Sequence, residues 1–155
     1  MSDAIKIELK NFGRLQEVAD KYPAVAEKHV GYAIRRALTR LMGEAKVQAP
    51  QGVSTFLKNR WEVKIGRFEG ALISGASYAM AVHKGSRPHW TGVTDPNSSL
   101  RKWAIKKGLN PYAVQRSIAL KGTRPNPFLE RSAQMQESNM DREMQNAIKE
   151  IISNV

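Results

Sequence analysis

Pro23-Ala-Val-Ala-Glu-Lys-His-Val-Gly-Tyr-Ala-Ile-Arg-Arg-Ala-Leu-Thr-Arg-Leu-Met-Gly-Glu-Ala-Lys-Val-Gln-Ala-Pro50 is the stretch on which the fold turns. Its apolar positions Val30, Ile34, Leu38, Leu41 and Ala45 step by three or four, and Ala33 and Ala37 widen the stripe. Arg35, Arg36, Arg40 and Lys46 fall largely off it. That period predicts one amphipathic helix from Ala24 to about Gln48, the longest element of the chain. Pro23 suits its first turn, where a missing N–H costs nothing, and Ala49-Pro50-Gln51-Gly52 stops it.

Working outward, Arg60-Trp-Glu-Val-Lys-Ile-Gly66 has period two, with Trp61, Val63 and Ile65 on one face. Gly66 to Gly70 is a turn, and Ala71-Leu-Ile-Ser-Gly75 reads as the returning strand of a hairpin. Ile5, Ile7 and Leu9 alternate with Lys6, Glu8 and Lys10, predicting a further strand. Asn11-Phe12-Gly13 ends that strand, and Leu15, Val18 and Ala19 suit a short helix. The expectation is an α+β fold: a small antiparallel sheet packed on one long helix, with Trp61, Val63, Ile65, Leu38 and Leu41 between them.

The second half reads as short helices. Tyr78 to His83 is a brief apolar turn of helix or strand, and residues 85–99 form a long loop without period. Such a loop is expected to gain its order at an interface. Leu100, Trp103 and Ala104 mark a basic helix ended by Gly108. Asn110-Pro111 caps and begins another, carrying Tyr112 and Ile118 and ended by Gly122. From residue 127 to about 154 a last helix is expected, begun by Pro127 and capped by Asn126, with Met140, Met144, Ile148 and Ile151 as its stripe. With 155 residues the chain holds one core, so residues 1–155 are read as a single domain.

Composition narrows the function. There is no cysteine, which removes disulfides, thiolate nucleophiles and cysteine-based zinc sites together. The first residues lack the apolar run of a signal peptide, and no window reaches the length of a membrane span, so a soluble intracellular protein without membrane partners is expected. The net charge of +11 is concentrated: residues 83–125 hold nine Lys and Arg against one Asp, whereas residues 126–155 carry a net of −2. The functional meaning is an anionic partner, nucleic acid or an acidic protein surface; the bland meaning is a well-solvated surface.

Motifs for chemistry are missing. No phosphate-cradling glycine loop, dinucleotide fingerprint or His-Glu-x-x-His is present. His29 sits near the edge of the long helix, and His83 and His89 have only Asp95 as a nearby carboxylate, short of the three ligands a catalytic metal wants. No catalytic residue, metal or cofactor is assigned. Two segments do stand out, Gly85-Ser86-Arg87-Pro88 and Gly122-Thr123-Arg124-Pro125. Each orders a glycine, a small hydroxyl residue, an arginine and a proline, as either a turn or a binding loop would.

At these residues the sequence resembles the minor tail-component, or tail-completion, proteins of long-tailed bacteriophages. The resemblance runs through Ala45-Lys-Val-Gln-Ala-Pro50, Tyr78-Ala-Met-Ala-Val-His-Lys-Gly-Ser86, the tryptophan-bearing Arg101-Lys-Trp-Ala104, and above all Lys121-Gly-Thr-Arg-Pro-Asn-Pro-Phe-Leu129. Gln51 to Thr55 stands where the family has Asp-Thr-Gly, and His83 stands where it has Glu. The resemblance implies a structural, non-enzymatic virion protein of the neck, assembled in the host cytoplasm. It forms a sixfold ring of itself between the head-completion or connector proteins and the tail tube or tail terminator, with genomic DNA passing through the lumen. In that setting Arg87, Pro88, Trp90, Arg124 and Pro125 are the expected interface residues. Lys84, Arg101, Lys102, Lys106 and Lys107 are the expected DNA-facing or acidic-partner-facing ones. The alternative is a nucleic-acid binder that uses residues 83–125, with Trp90 and Trp103 stacking on bases.

Overall fold

The computed structural model describes residues 6–8, 17, 20–52 and 55–154. The ends of the N-terminal strand at Ile5 and Leu9, the break at residues 11–13 and the helix expected around Leu15, Val18 and Ala19 lie outside the described residues. The elements in chain order are β1 (Lys6–Glu8), α1 (Pro23–Gln48), α2 (Phe56–Asn59), β2 (Trp61–Ile65), β3 (Gly70–Ser74), α3 (Ala79–Lys84), α4 (Ser99–Lys106), α5 (Pro111–Lys121) and α6 (Phe128–Ser153). The architecture is the expected α+β one.

Three antiparallel strands form the sheet in the order β1-β3-β2, with Ile7 opposite Leu72 and Val63 opposite Leu72 on the other side. β3 is paired on both edges, and its successive residues Ala71 and Leu72, which point to opposite faces, are both buried, so it reads as an apolar run rather than an alternation. β2 alternates as its sequence does: Trp61, Val63 and Ile65 lean on the core while Glu62 and Lys64 face solvent. Helix α1 lies against this sheet so closely that a Cβ on Gly70 would overlap Ile34 Cγ2 and stand 2.7 Å from Leu38 Cδ1. Glycine is therefore a packing requirement at the start of β3.

The principal partner of α1 is α6, not the sheet. Both helices run 26 residues, roughly 39 Å at the usual rise. His29 meets Glu150, Arg36 and Arg40 meet Glu143, and Gln48 meets Met135, so the two run antiparallel. Small buried residues on α1, Ala26, Ala33, Ala37 and Ala45, let it pack closely on Met140, Met144, Ala147 and Ile151 of α6. Glu143 is buried at this seam, 2.7 Å from Arg36 Nε and 3.1 Å from Arg40 Nη2. A buried carboxylate needs such partners.

Phe128, fully buried, is where the layers meet. Its ring stands edge-on to Trp61 at 6.2 Å and to His83 at 5.9 Å, joining sheet, α3 and α6. The start of α6 differs from expectation. Pro127 is the capping residue itself and no side chain caps the helix. With Pro127 in the cap position Asn126 lies one residue too early to cap the first turn, and its Oδ1 accepts from Arg131 Nη2 at 2.5 Å instead.

Leu41 is fully buried in the common core. Leu41→Ala is expected to cost about 2–5 kcal/mol, the sum of lost transfer energy and the cavity left behind. Urea unfolding of both proteins measures this; a loss below about 1 kcal/mol would place Leu41 at a site that collapses without strain.

Candidate functional site

Gly85-Ser86-Arg87-Pro88 and Gly122-Thr123-Arg124-Pro125 come together in space. Ser86 and Thr123 form an antiparallel bridge. Ser86 N donates to the Thr123 carbonyl at 3.2 Å, and Thr123 N donates to the Ser86 carbonyl at 3.0 Å. The side chains reinforce the exchange: Thr123 Oγ1 accepts from Ser86 N at 2.9 Å and lies 2.9 Å from Ser86 Oγ. One residue out, Asn126 N donates to the Val82 carbonyl at 3.0 Å and ties the strap to α3.

The two glycines make this clasp possible in the same way. Gly85 has φ +76° and Gly122 φ +72°, a region that side chains disfavour. A Cβ on Gly85 would stand 2.5 Å from the Thr123 carbonyl oxygen, and one on Gly122 would overlap the carbonyl oxygen of Ser86. Each glycine thus makes room for the other motif's backbone. The following arginines, Arg87 and Arg124, are exposed, and neither guanidinium has a hydrogen-bond or ion-pair partner among the described residues. Pro88 and Pro125 beside them are exposed as well.

The clasp closes a lobe of residues 87–121, which carries seven Lys and Arg against one Asp. Its interior is small, with Val93, Ala104 and Gln115 buried. Loop 85–99 differs from the expectation that it orders at an interface, because it carries its own fastenings. Gln115 Nε2 donates to the Thr91 carbonyl, Ser98 Oγ donates to the Gly92 carbonyl at 2.8 Å, and Asn97 N donates to Asp95 Oδ1 at 2.8 Å. Arg101 Nη1 donates to the Thr94 carbonyl at 3.1 Å and the Val93 carbonyl at 3.4 Å. Asn110 Oδ1 caps α5 by accepting from Tyr112 N at 2.9 Å, as the sequence predicts.

The expected anion-facing residues therefore divide. Lys84, Lys102, Lys106 and Lys107 are exposed, whereas Arg101 is half-buried and occupied with loop carbonyls. Trp90 is 74 % exposed, but Trp103 is half-buried and offers no free face comparable to it. Tyr112, 55 % exposed and unassigned by sequence reasoning, lines an open groove of about 670 Å³ together with Trp90 and Arg116. A second open groove, about 470 Å³, runs along the seam between clasp and body, lined by Tyr78, Val82, Leu100, Ile118 and Arg124.

The histidines are engaged separately. His83 Nε2 lies 3.3 Å from Glu130 Oε1, and His89 Nδ1 lies 2.8 Å from the Arg87 carbonyl. No cluster of three His, Asp or Glu able to hold a metal occurs among the described residues, and none of their helices is long and apolar enough to cross a membrane. Compared with family models, with curated proteins and with solved structures, the chain matches none.

If the reciprocal glycines hold the lobe shut, Gly122→Ala and Gly85→Ala are each expected to cost at least about 1–3 kcal/mol from backbone strain alone. Thr123→Val, which replaces the hydroxyl by a methyl of similar size, is expected to cost about 0.5–1.5 kcal/mol. Limited proteolysis is expected to cut the glycine variants first within residues 86–123 while α1 and α6 stay intact. A cleavage pattern unchanged from the parent would show that the clasp does not restrain the lobe.

Proposed function

We propose that this chain is a structural subunit of a phage neck, acting in tail completion and head–tail joining, and that it works by assembly without catalysis. The observation that carries the reading is the clasp. Lys121–Leu129, on which the resemblance rests above all, is bridged to the end of the matching segment Tyr78–Ser86, and Gly85–Pro88 and Gly122–Pro125 each deliver one exposed arginine and one exposed proline to the foot of the same lobe. A guanidinium on a stiff base suits bidentate capture of a carboxylate or of exposed strand carbonyls on another subunit. Proline on either side limits the entropy lost on docking.

The reading has the chain as one of the copies of a sixfold ring between connector and tail tube. Such a ring needs head-to-tail contacts, in which one surface meets a different surface of the next copy. The acidic C-terminal helix is a suitable second surface, with two of its carboxylates unpaired among the described residues. Glu130, Glu143 and Glu150 are engaged by His83, Arg36 with Arg40, and His29 of the same chain. Glu137 and Asp141 are exposed without an ion-pair partner among the described residues. Lys84, Lys102, Lys106 and Lys107 remain for DNA in the lumen or for an acidic partner.

Arg124→Lys tests the reading. Because Arg124 is exposed, the isolated subunit is expected to keep its stability within about 0.5 kcal/mol. Heads and tails made with the variant are expected to fail to join, since lysine keeps the charge and loses the fork. Negative-stain counts of joined particles give the answer. Normal joining, or a subunit that melts on substitution, would overturn the assignment of Arg124 to assembly.

A further inference from the structure

Helix α5 leaves one of its faces uncovered. Tyr112, Arg116 and Leu120 are spaced four residues apart, so they stack along one side of the helix over about 12 Å. All three are exposed, and all three line the groove of about 670 Å³ whose opposite wall is Trp90 with Gly92 and Thr94. A groove of that size lies within the range of ligand sites. Leaving an indole, a phenol and a leucine in water around one cavity is costly for a lobe whose own interior is as small as Val93, Ala104 and Gln115.

We propose that this groove binds single-stranded nucleic acid, with Trp90 and Tyr112 stacking on bases and Arg116 between them contacting phosphate or a base face. The charge of the lobe argues for a polyanion, because its one carboxylate, Asp95, is already bonded in the turn to Asn97. The rings argue for bases rather than acidic peptide, since carboxylates need cations alone and gain nothing from flat aromatic faces. They also argue for a single strand, because a duplex buries its base faces. On the neighbouring helix α4, Lys102 and Lys106 share a helix side and are exposed, adding to the positive potential of the lobe. The groove shares Trp90 with the surface expected of the neck reading, but Arg124 lies outside it, so the joining assay on Arg124→Lys and the binding assay below fail separately.

Fluorescence anisotropy of the full chain with a labelled oligothymidylate tests the proposal, with a duplex of the same length and poly-glutamate as competitors. The oligothymidylate is expected to bind, and to resist competition by both better than it resists unlabelled oligothymidylate. Trp90→Ala and Tyr112→Ala are each expected to weaken binding roughly 5- to 150-fold, the range of lost base stacking. Trp90→Phe is expected to restore most of the affinity. Both positions are exposed, and an unchanged circular dichroism spectrum keeps folding out of the comparison. Poly-glutamate competing as well as the oligonucleotide would make the site an acidic-protein surface. Preference for the duplex, less than twofold change in both alanine variants, or absence of binding would each overturn the proposal.

Discussion

Helices α1 and α6 share one apolar seam although the residues that touch across it are as many as 107 and 121 positions apart. Everything between them must leave this seam and return to it. The sheet does so by lying against α1 at Gly70, and α3 does so through the ring of Phe128. A seam between such distant segments also fixes when the core forms: the chain must close a long loop before its largest contact is made. The ions at the seam follow from the same constraint. Glu143 is buried because α6 must lie flat on the small residues of α1, and it is tolerated there because Arg36 and Arg40 reach over it from half-exposed positions.

Upon that body the lobe is a second level of construction. Its two ends are held together by four backbone and hydroxyl contacts between Ser86 and Thr123, and by two glycines that each vacate the space the other motif occupies. The similarity of the two tetrapeptides acquires a physical meaning here. An antiparallel bridge is close to twofold symmetric, so the same local requirement, a left-handed glycine followed by a residue that can exchange both backbone bonds, arises on each side. Local similarity in the sequence is the imprint of a symmetric contact.

Much of the fold was legible because it depends on local period. The stripes of α1 and α6, the alternation of β2 and the cap at Asn110 are set within a few residues of themselves, and the structure has them where the sequence puts them. What the sequence hid is pairing. A stripe shows which face is buried and not against what, so the dominance of α6 over the sheet as the partner of α1 could not be read. The two glycine motifs were visible, and their mutual bridge was not, because nothing local selects a partner for a segment without period. Helix α2 has four residues, too few to display a helical period at all. Among candidate site residues, Trp103 and Tyr112 exchanged roles since both are aromatic on short helices, and only the packing of α4 on α5 decides which ring is left outside.

Charge follows the same division between body and lobe, and here the two levels explain each other. The body holds most of the carboxylates, and Glu143, the one buried at its seam, is paired there with Arg36 and Arg40. The lobe has almost none, so its cations have no internal use apart from Arg101, which fastens the loop, and Lys102, which reaches Asn97. Like charges gathered on a small unit repel one another and oppose its folding, an opposition that Val93 and Ala104 alone do little to offset. The clasp offsets it at one end, through the hydrogen bonds between Ser86 and Thr123, which have to outweigh the entropic cost of closing the loop. In the proposed complex the bound polyanion would oppose the same repulsion, stabilising the folded lobe in proportion to its occupancy. Body and lobe thus treat charge in opposite ways, the body pairing its buried carboxylate Glu143 internally and the lobe leaving Lys106, Lys107 and Arg116 in solvent, where water and salt screen them.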